Sequence, residues 1–166
     1  MSNADSEAGA QLRALIAAEQ DLLLQVLDVM DGEQEAMLGR DSAAAEQLAT
    51  VLSNKQQLLA TLETATRERL QWLALREVSA DSDNVLRFTD GLDSSGTLSR
   101  EYRGFADTAE ACRQRNQALG HLNRRRQQTL LRAADALGLS EAGSSASYSN
   151  AGTASTAPDT RLLGSA

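Results

Sequence analysis

Apolar side chains recur at steps of three and four residues through most of this chain, and no other feature restricts its fold as strongly. Two such stretches predict helices over residues 6–38 and 42–78. Between them Gly39 occupies a helix-ending position, and Asp41 or Ser42 can cap the second helix. A connection this short makes the two helices an antiparallel hairpin. Their apolar positions are Leu12, Leu15, Ile16, Leu22, Leu23, Val26, Val29, Met30 and Met37, then Leu48, Val51, Leu52, Leu58, Leu59, Leu62, Ala65, Leu70, Trp72 and Leu73.

Small and acidic residues interrupt this pattern at 79–83 and again at 90–97. The piece between the interruptions contains Val85, Leu86 and Phe88, and it predicts a short helix within a long connection. Only 3% of the residues are aromatic and one is proline, which favours helices over sheets. At about 1.5 Å per residue, each hairpin helix would be about 50 Å long. We therefore expect an all-α, elongated antiparallel bundle of three long helices plus one short helix.

The last helix is predicted over residues 98–137, where a strict heptad seam contains twelve positions. Three of the twelve are polar and lie in the middle of the seam: Asn116, Asn123 and Arg126. We expect this polar middle to be either hydrated or occupied by a partner. The nine other seam residues are Leu98, Tyr102, Phe105, Ala109, Cys112, Leu119, Leu130, Ala133 and Leu137.

Beyond Gly138 the composition changes to Gly, Ser, Ala and Thr, with the only proline of the chain at Pro158. So few apolar groups cannot compensate the backbone entropy of ordering, about 1–2 kcal/mol per residue. We therefore expect a helical bundle domain at residues 1–138 and a flexible tail at 139–166 that is disordered when nothing is bound.

The formal net charge of −7 is unevenly distributed. Residues 1–40 contain eight acids and two bases, whereas residues 97–138 contain four acids and eight bases. These charges form either hydrated faces or complementary surfaces that help the two segments pair. An acidic chain is a poor nucleic-acid binder, because phosphate recognition requires a surplus of Lys and Arg. The run 124–126 of three arginines has no interleaved aromatic residue, so it indicates a hydrated or helix-pairing patch rather than a nucleic-acid or lipid site.

Residues with catalytic or metal-binding chemistry are sparse. His121 is the only histidine, and no second histidine or cysteine gives metal-ligand spacing. Cys112 falls on the apolar seam, about two and a half helical turns from His121, which is too far for the pair to act together. No phosphate-binding loop or nucleophile turn is present. We expect neither enzyme activity nor a cofactor.

Three charged residues interrupt the apolar seams of the hairpin: Glu19, Lys55 and Arg69. If the hairpin folds about residues 39 and 40, facing positions have numbers that sum to about 79, which places Glu19 opposite Ala60 rather than a cation. We therefore expect these charges to reach solvent at the edge of the seam.

The sequence shows none of the features expected of a membrane-inserted or secreted protein. No apolar run approaches the roughly 20 residues that a membrane-spanning helix needs. Residues 1–10 lack the basic start and apolar stretch of a signal peptide. A single cysteine forms no internal disulfide. We expect a cytoplasmic protein without membrane insertion.

An ordered set of motifs spans most of the chain. The first half contains the segment 33–41, followed by Leu48, Lys55, Leu58, Leu59, Leu62 and Arg69. The second half contains Cys112-x3-Asn116-x2-Leu119-Gly120, then Gln127-Gln128-x-Leu130 before Leu137-Gly138-Leu139, and finally Tyr148-x3-Gly152-Thr153. In order and spacing these motifs resemble the FlgN family of flagellar export chaperones, whose first half has the progression E-x-x-A-L…D…L…K-x-x-L-L…R. Leu119 stands where the family has a second Asn, and the tail is longer and richer in Ser and Ala.

The resemblance implies a cytoplasmic chaperone that binds hook-associated proteins, prevents their premature assembly and delivers them to the type III export gate. It implies a cargo-binding role for Leu130, Leu131, Leu137 and Leu139, and contact of Tyr148 and Gly152 with the cytoplasmic domain of the gate. Cys112, Asn116 and Gly120 would shape the last helix. The alternatives are that Leu130 and Leu137 complete the intramolecular core, and that the chain is a coiled-coil adaptor or oligomerisation module. The pattern does not fix the oligomeric state.

Overall fold

In the computed structural model, which describes residues 3–39 and 41–137, the chain forms four helices. These are α1 (Asn3–Leu38), α2 (Ser42–Ala74), α3 (Ser82–Leu92) and α4 (Thr97–Ala136). No strand occurs among the described residues, so the predicted all-α bundle with three long helices and one short one is confirmed. The chain divides into two compact units, residues 1–123 and 124–166.

A tight turn joins α1 to α2. The Asp41 side chain accepts a hydrogen bond of 2.8 Å from the Ala44 amide and caps α2, as predicted. Gly39 packs so closely against the first turn of α2 that a Cβ atom on residue 39 would fall well inside contact distance of Ala44 Cβ. The turn therefore requires a glycine at residue 39 for reasons of space.

α2 ends at Ala74, four residues before the predicted end at Val78. The Val78 amide donates to Leu73 O at 3.1 Å, and the Glu77 amide donates to Ala74 O at 3.0 Å. This pair of hydrogen bonds is a Schellman motif, which places Glu77 in the left-handed region with φ of 57°. Glycine usually occupies this position, so the sequence contained no glycine signal for the helix end.

Carboxylates organise both ends of the connection between α2 and α4. Asp81 caps α3 by accepting from the Asn84 amide at 2.9 Å. Asp93 accepts from the Ser95 amide at 2.9 Å and from the Leu98 amide at 3.0 Å, which fixes the start of α4. Hydrogen bonds from Ser95 and then from the Leu98 amide lower the pKa of Asp93 to about 2.

Within residues 1–123, α4 packs against α1 in a parallel orientation. Arg13 of α1 pairs with Glu101 at 2.6 Å, and farther along both helices the Cys112 thiol donates to Leu23 O at 3.3 Å. The buried apolar core draws on all four helices and consists of Leu12, Ile16, Leu23, Val26, Met30, Leu73, Val85, Leu92, Leu98, Tyr102, Phe105, Cys112 and Leu119. Among the described residues, no helix combines the length and apolar character that crossing a bilayer requires.

Candidate functional site

The end of α4 carries a row of exposed apolar side chains. Leu130, Leu131 and Leu137 are 61%, 65% and 72% exposed. Ala133 is exposed and Ala134 is half-buried. Residues 130, 133, 134 and 137 follow the i, i+3, i+4, i+7 spacing of one helix face. The predicted leucines at 130 and 137 thus lie on the surface rather than in the core, and we call residues 130–137 the leucine stripe.

Three predicted site residues lie outside the described residues: Leu139, Tyr148 and Gly152. The predicted boundary between bundle and tail at residues 138 and 139 lies there too. The roles inferred for these residues stay predictions.

The three residues of the helix-shaping motif occupy different environments in α4. Cys112 is buried, and burial raises the pKa of its thiol. Asn116 is exposed, yet its side-chain oxygen accepts a 3.0 Å hydrogen bond from Lys55 Nζ. A Cβ atom on Gly120 would meet nothing within 4 Å. Cys112 and Asn116 therefore tie α4 to other helices, whereas no neighbouring side chain or backbone requires glycine at 120.

A buried ion pair joins α1 to α2 near the middle of the hairpin. Arg69 donates from Nε to Glu19 Oε2 at 2.6 Å and from Nη2 to Oε1 at 3.3 Å. Thr66 Oγ1 adds a 2.6 Å hydrogen bond to the same carboxylate. The Arg69 guanidinium also lies 5.0 Å from the centroid of the Phe105 ring in α4. Glu19 and Arg69 are both buried, so each charge is compensated by the other inside the bundle.

A second ion pair joins the same helices nearer to the turn. Lys55 Nζ lies 2.6 Å from Glu33 Oε2, and the two side chains are only 11% and 6% exposed. Because Lys55 also donates to Asn116, the ammonium group connects α1, α2 and α4. The seam position at 116, expected to be hydrated or partner-bound, is thus engaged within the chain.

The expectation that the seam charges reach solvent is wrong for two reasons, because facing residue numbers sum to 83 rather than 79 and because the estimate left out side-chain length. A Cβ atom on Gly32 would lie 3.8 Å from Val51 Cγ2, so short residues face each other where their numbers sum to 83. In both ion pairs, the residue numbers of the two partners sum to 88. The difference of five residues corresponds to about 7.5 Å along a helix. Side chains incline toward the N-terminus of their own helix, so a long acid on α1 and a long base on α2 converge across this distance.

The sequence does contain a signal for these ion pairs, in the residues that recur at seven-residue steps on each helix, which we call the heptad frames. On α1, apolar and acidic residues alternate every seven positions, and on α2 leucine alternates with a base every seven positions. Either frame alone looks like an interrupted seam, and only their combination indicates buried pairs. The two frames are Leu12, Glu19, Val26 and Glu33, and Leu48, Lys55, Leu62 and Arg69.

A cavity of about 410 Å³ opens above the first ion pair, between α2 and α4. Thr66 and Arg69 form part of its lining, and Tyr102 and Phe105 form the opposite side. In the described part of the chain, no buried side-chain nitrogen or oxygen lacks a hydrogen-bond partner. Glu19, Thr66 and Arg69, which line this cavity, are already bonded to one another.

The described residues offer little for catalysis. Cys112 is buried with a raised thiol pKa, the opposite of what an activated nucleophile needs. Residues 3–39 and 41–137 contain no group of three or more His, Cys, Asp or Glu side chains arranged to hold a metal ion. The exposed leucine stripe is thus the strongest candidate for a functional surface, and its geometry suits binding.

The family model described as FlgN protein matches residues 1–156. No curated protein and no solved structure matches the chain.

Proposed function

Because the chain belongs to the FlgN family, a family of flagellar export chaperones, we propose that it binds hook-associated proteins of the hook–filament junction. In this proposal the complex forms in the cytoplasm, keeps the cargo from assembling prematurely and delivers it to the type III export gate. The chain acts by binding and carries out no reaction of its own.

The leucine stripe is the observation that supports this proposal. Exposed apolar side chains that adjoin one another commonly mark an interaction site, whereas single ones are ordinary. The stripe spacing suits an amphipathic helix of the cargo, which would pack its own apolar face against residues 130–137. Full burial of a leucine side chain contributes about 1.5–3 kcal/mol, so three largely exposed leucines can supply much of a micromolar affinity.

The tail residues complete the proposed division of labour, on the strength of the family resemblance. Leu139 extends the cargo-binding surface, and Tyr148 and Gly152 contact the cytoplasmic domain of the export gate. A single aromatic residue among small ones is a suitable anchor, because it supplies a large contact area. Cys112 and Asn116 hold α4 in place rather than touch a partner.

The alternative function, an adaptor that oligomerises through the polar middle of the α4 seam, receives less support. That seam already faces its own hairpin at Cys112 and Asn116. A partner helix at this point would have to displace contacts within the chain.

Co-purification with a hook-associated protein tests the proposed function. We expect the full chain to retain the cargo in a 1:1 complex, and a chain ending at Leu137, which lacks Leu139, to bind it more weakly while staying helical. The variant Leu130→Ser/Leu131→Ser/Leu137→Ser should weaken binding at least about 100-fold, because each serine removes an apolar contact.

The matched control replaces Leu52 and Leu59 of α2 with serine, since they are also large, apolar and partly exposed, at 43% and 42%. This control should bind like the parent chain. Tyr148→Ala should bind cargo normally and bind the gate domain less. Failure of the full chain to retain any cargo refutes the proposal, and equal loss of cargo in the stripe and control variants refutes the assigned surface.

A further inference from the structure

The charged residues of the hairpin repeat with the same period on both helices. Glu19 and Glu33 are 14 residues apart on α1, and Lys55 and Arg69 are 14 residues apart on α2. Midway between them stand Val26 and Leu62. On each helix, a charged residue, an apolar residue and a second charged residue thus follow one another at seven-residue steps. The acids of α1 pair with the bases of α2. We call the four charged residues the heptad charges.

Apolar residues alone distinguish registers poorly in this hairpin. On α2, apolar residues follow one another at seven-residue steps: Val51, Leu58, Ala65 and Trp72. If α2 slips along α1 by one heptad, each place on α1 therefore meets another apolar residue of α2. Such a slip moves the turn along the chain by only three or four residues. The cap at Asp41 and the close approach at Gly39 oppose it, but neither acts along the length of the helices.

The heptad charges respond to a slip in a different way. A slip of one heptad, in either direction, sets Glu33 against a leucine and Arg69 against an apolar residue, so this acid and this base lose their partners. A slip of two heptads breaks both native pairs and forms one new pair, and it sets the remaining acid of α1 against another acid, Asp83 or Asp41. Because an unpaired charge inside a bundle is strongly unfavourable, only one register satisfies all four groups.

We propose that the heptad charges determine the register of the α1–α2 hairpin, and that α4 recognises the correct register through Asn116 and Phe105. Asn116 reaches Lys55, and Phe105 lies over Arg69, so both heptad charges of α2 have a partner on α4. These contacts form together only when the hairpin is in register. The pairs thus supply specificity rather than net stability, a role that buried polar groups have in coiled coils. This inference concerns residues 1–123 and stands independently of the proposed function.

A disulfide reporter tests the register directly. In a Cys112→Ala background, Gly32→Cys/Val51→Cys reports the native register, because these positions face each other. Gly32→Cys/Leu58→Cys reports a slip of one heptad. In the parent chain we expect near-complete crosslinking of the native reporter and almost none of the slipped one. The comparison chain replaces all four heptad charges by methionine: Glu19→Met, Glu33→Met, Lys55→Met and Arg69→Met.

We expect the all-methionine chain to remain helical and at least as resistant to heat, because well-packed apolar residues commonly replace buried ion pairs without loss. Its native crosslink should nevertheless fall at least about two-fold while the slipped crosslink rises, because the apolar heptads no longer discriminate. Complete native crosslinking in this chain, with no slipped product, would overturn the proposal.

Charge reversal provides a second test that does not depend on crosslinking. Lys55→Met should lower the midpoint of thermal unfolding by about 10 °C, because it leaves Glu33 buried without a cation. The swapped pair Glu33→Lys/Lys55→Glu should recover at least about half of that loss. The exposed pair of α2 serves as control, and Glu63→Gln/Arg67→Gln should change the midpoint little. A swapped pair no more stable than Lys55→Met would contradict the proposal.

Discussion

The Arg69 side chain contacts partners on two other helices of the bundle. Its guanidinium forms a two-point contact with Glu19 and lies over the Phe105 ring. The planar group suits a carboxylate and an aromatic face at the same time, which the ammonium of lysine does not. Lys55 instead contacts two single oxygens, on Glu33 and Asn116. The chemistry of each base therefore matches the partners that surround it.

Gly39 is a second residue whose identity follows from its surroundings. We expect Gly39→Ala to lower the free energy of unfolding by about 1–3 kcal/mol, because its Cβ atom would overlap Ala44 Cβ and the turn would have to open. Urea unfolding followed by circular dichroism measures the change. The double variant Gly39→Ala/Ala44→Gly removes the overlap and should recover part of the loss.

Gly104 is the matched control for this substitution. It lies inside α4, where a Cβ atom would meet nothing within 4 Å. Gly104→Ala should raise the free energy of unfolding by about 0.5–1 kcal/mol, because alanine favours a helix interior. Equal effects of alanine at 39 and at 104 would show that the turn tolerates a side chain.

At the scale of helices, carboxylates fix the starts of α2, α3 and α4, whereas no glycine marks the end of α2. Asp41, Asp81 and Asp93 each accept backbone hydrogen bonds before a helix. α2 instead ends with Glu77 in the left-handed conformation. The beginnings of α2 and α4 fall within one residue of the sequence predictions, whereas α3 begins at Ser82, inside the stretch 79–83 that the pattern marked as an interruption, and the end of α2 falls four residues early.

The capping carboxylate of α4 makes its stability depend on pH. Asp93 has a folded-state pKa of about 2, below its ordinary value of 3.8. It therefore stabilises the fold above its unfolded pKa, and this contribution disappears as the pH falls from about 4 toward 2. Asp93→Asn should lower the urea midpoint near pH 6, and its difference from the parent should shrink toward zero near pH 2.

Asp107→Asn, a change to an exposed carboxylate of the same helix, is the control and should leave the urea midpoint nearly unchanged at each pH. A difference between Asp93→Asn and the parent that stayed constant from pH 6 to pH 2 would mean that the Asp93 charge does not stabilise the start of α4.

Across the whole molecule, burial is distributed unevenly. Residues 98–119 of α4 include six buried side chains: Leu98, Ser99, Tyr102, Phe105, Cys112 and Leu119. Residues 124–137 include none. Helical segments without buried side chains open at low free-energy cost, because little apolar contact is lost.

Hydrogen exchange should report this difference. We expect backbone amides at 124–136 to exchange at least about 10-fold faster than those at 98–119. Addition of a hook-associated cargo segment should slow exchange at 124–136 selectively, because the leucine stripe becomes covered. Mass spectrometry of peptic fragments measures both. Equal protection of the two segments in the free protein would contradict the inferred distribution of stability.

The leucine stripe shows where sequence reasoning stopped. Leu130 and Leu137 continue the same heptad seam as Leu98, Phe105 and Leu119, so periodicity assigns all five to one face. Burial separates them, since the first two are exposed and the other three are buried. A repeating pattern identifies the face of a helix, but it does not show how far along the helix that face is covered.

The sequence by itself determined the helical class, the four helices and the capped start of α2, because periodicity and capping act over a few neighbouring residues. The family motifs likewise follow from order and spacing along the chain. Only the tertiary structure decided that Glu19 meets Arg69, that Glu33 meets Lys55, and that the stripe leucines stay exposed. Those outcomes depend on the distance between helices and on the length and inclination of side chains, and residue numbering contains neither quantity.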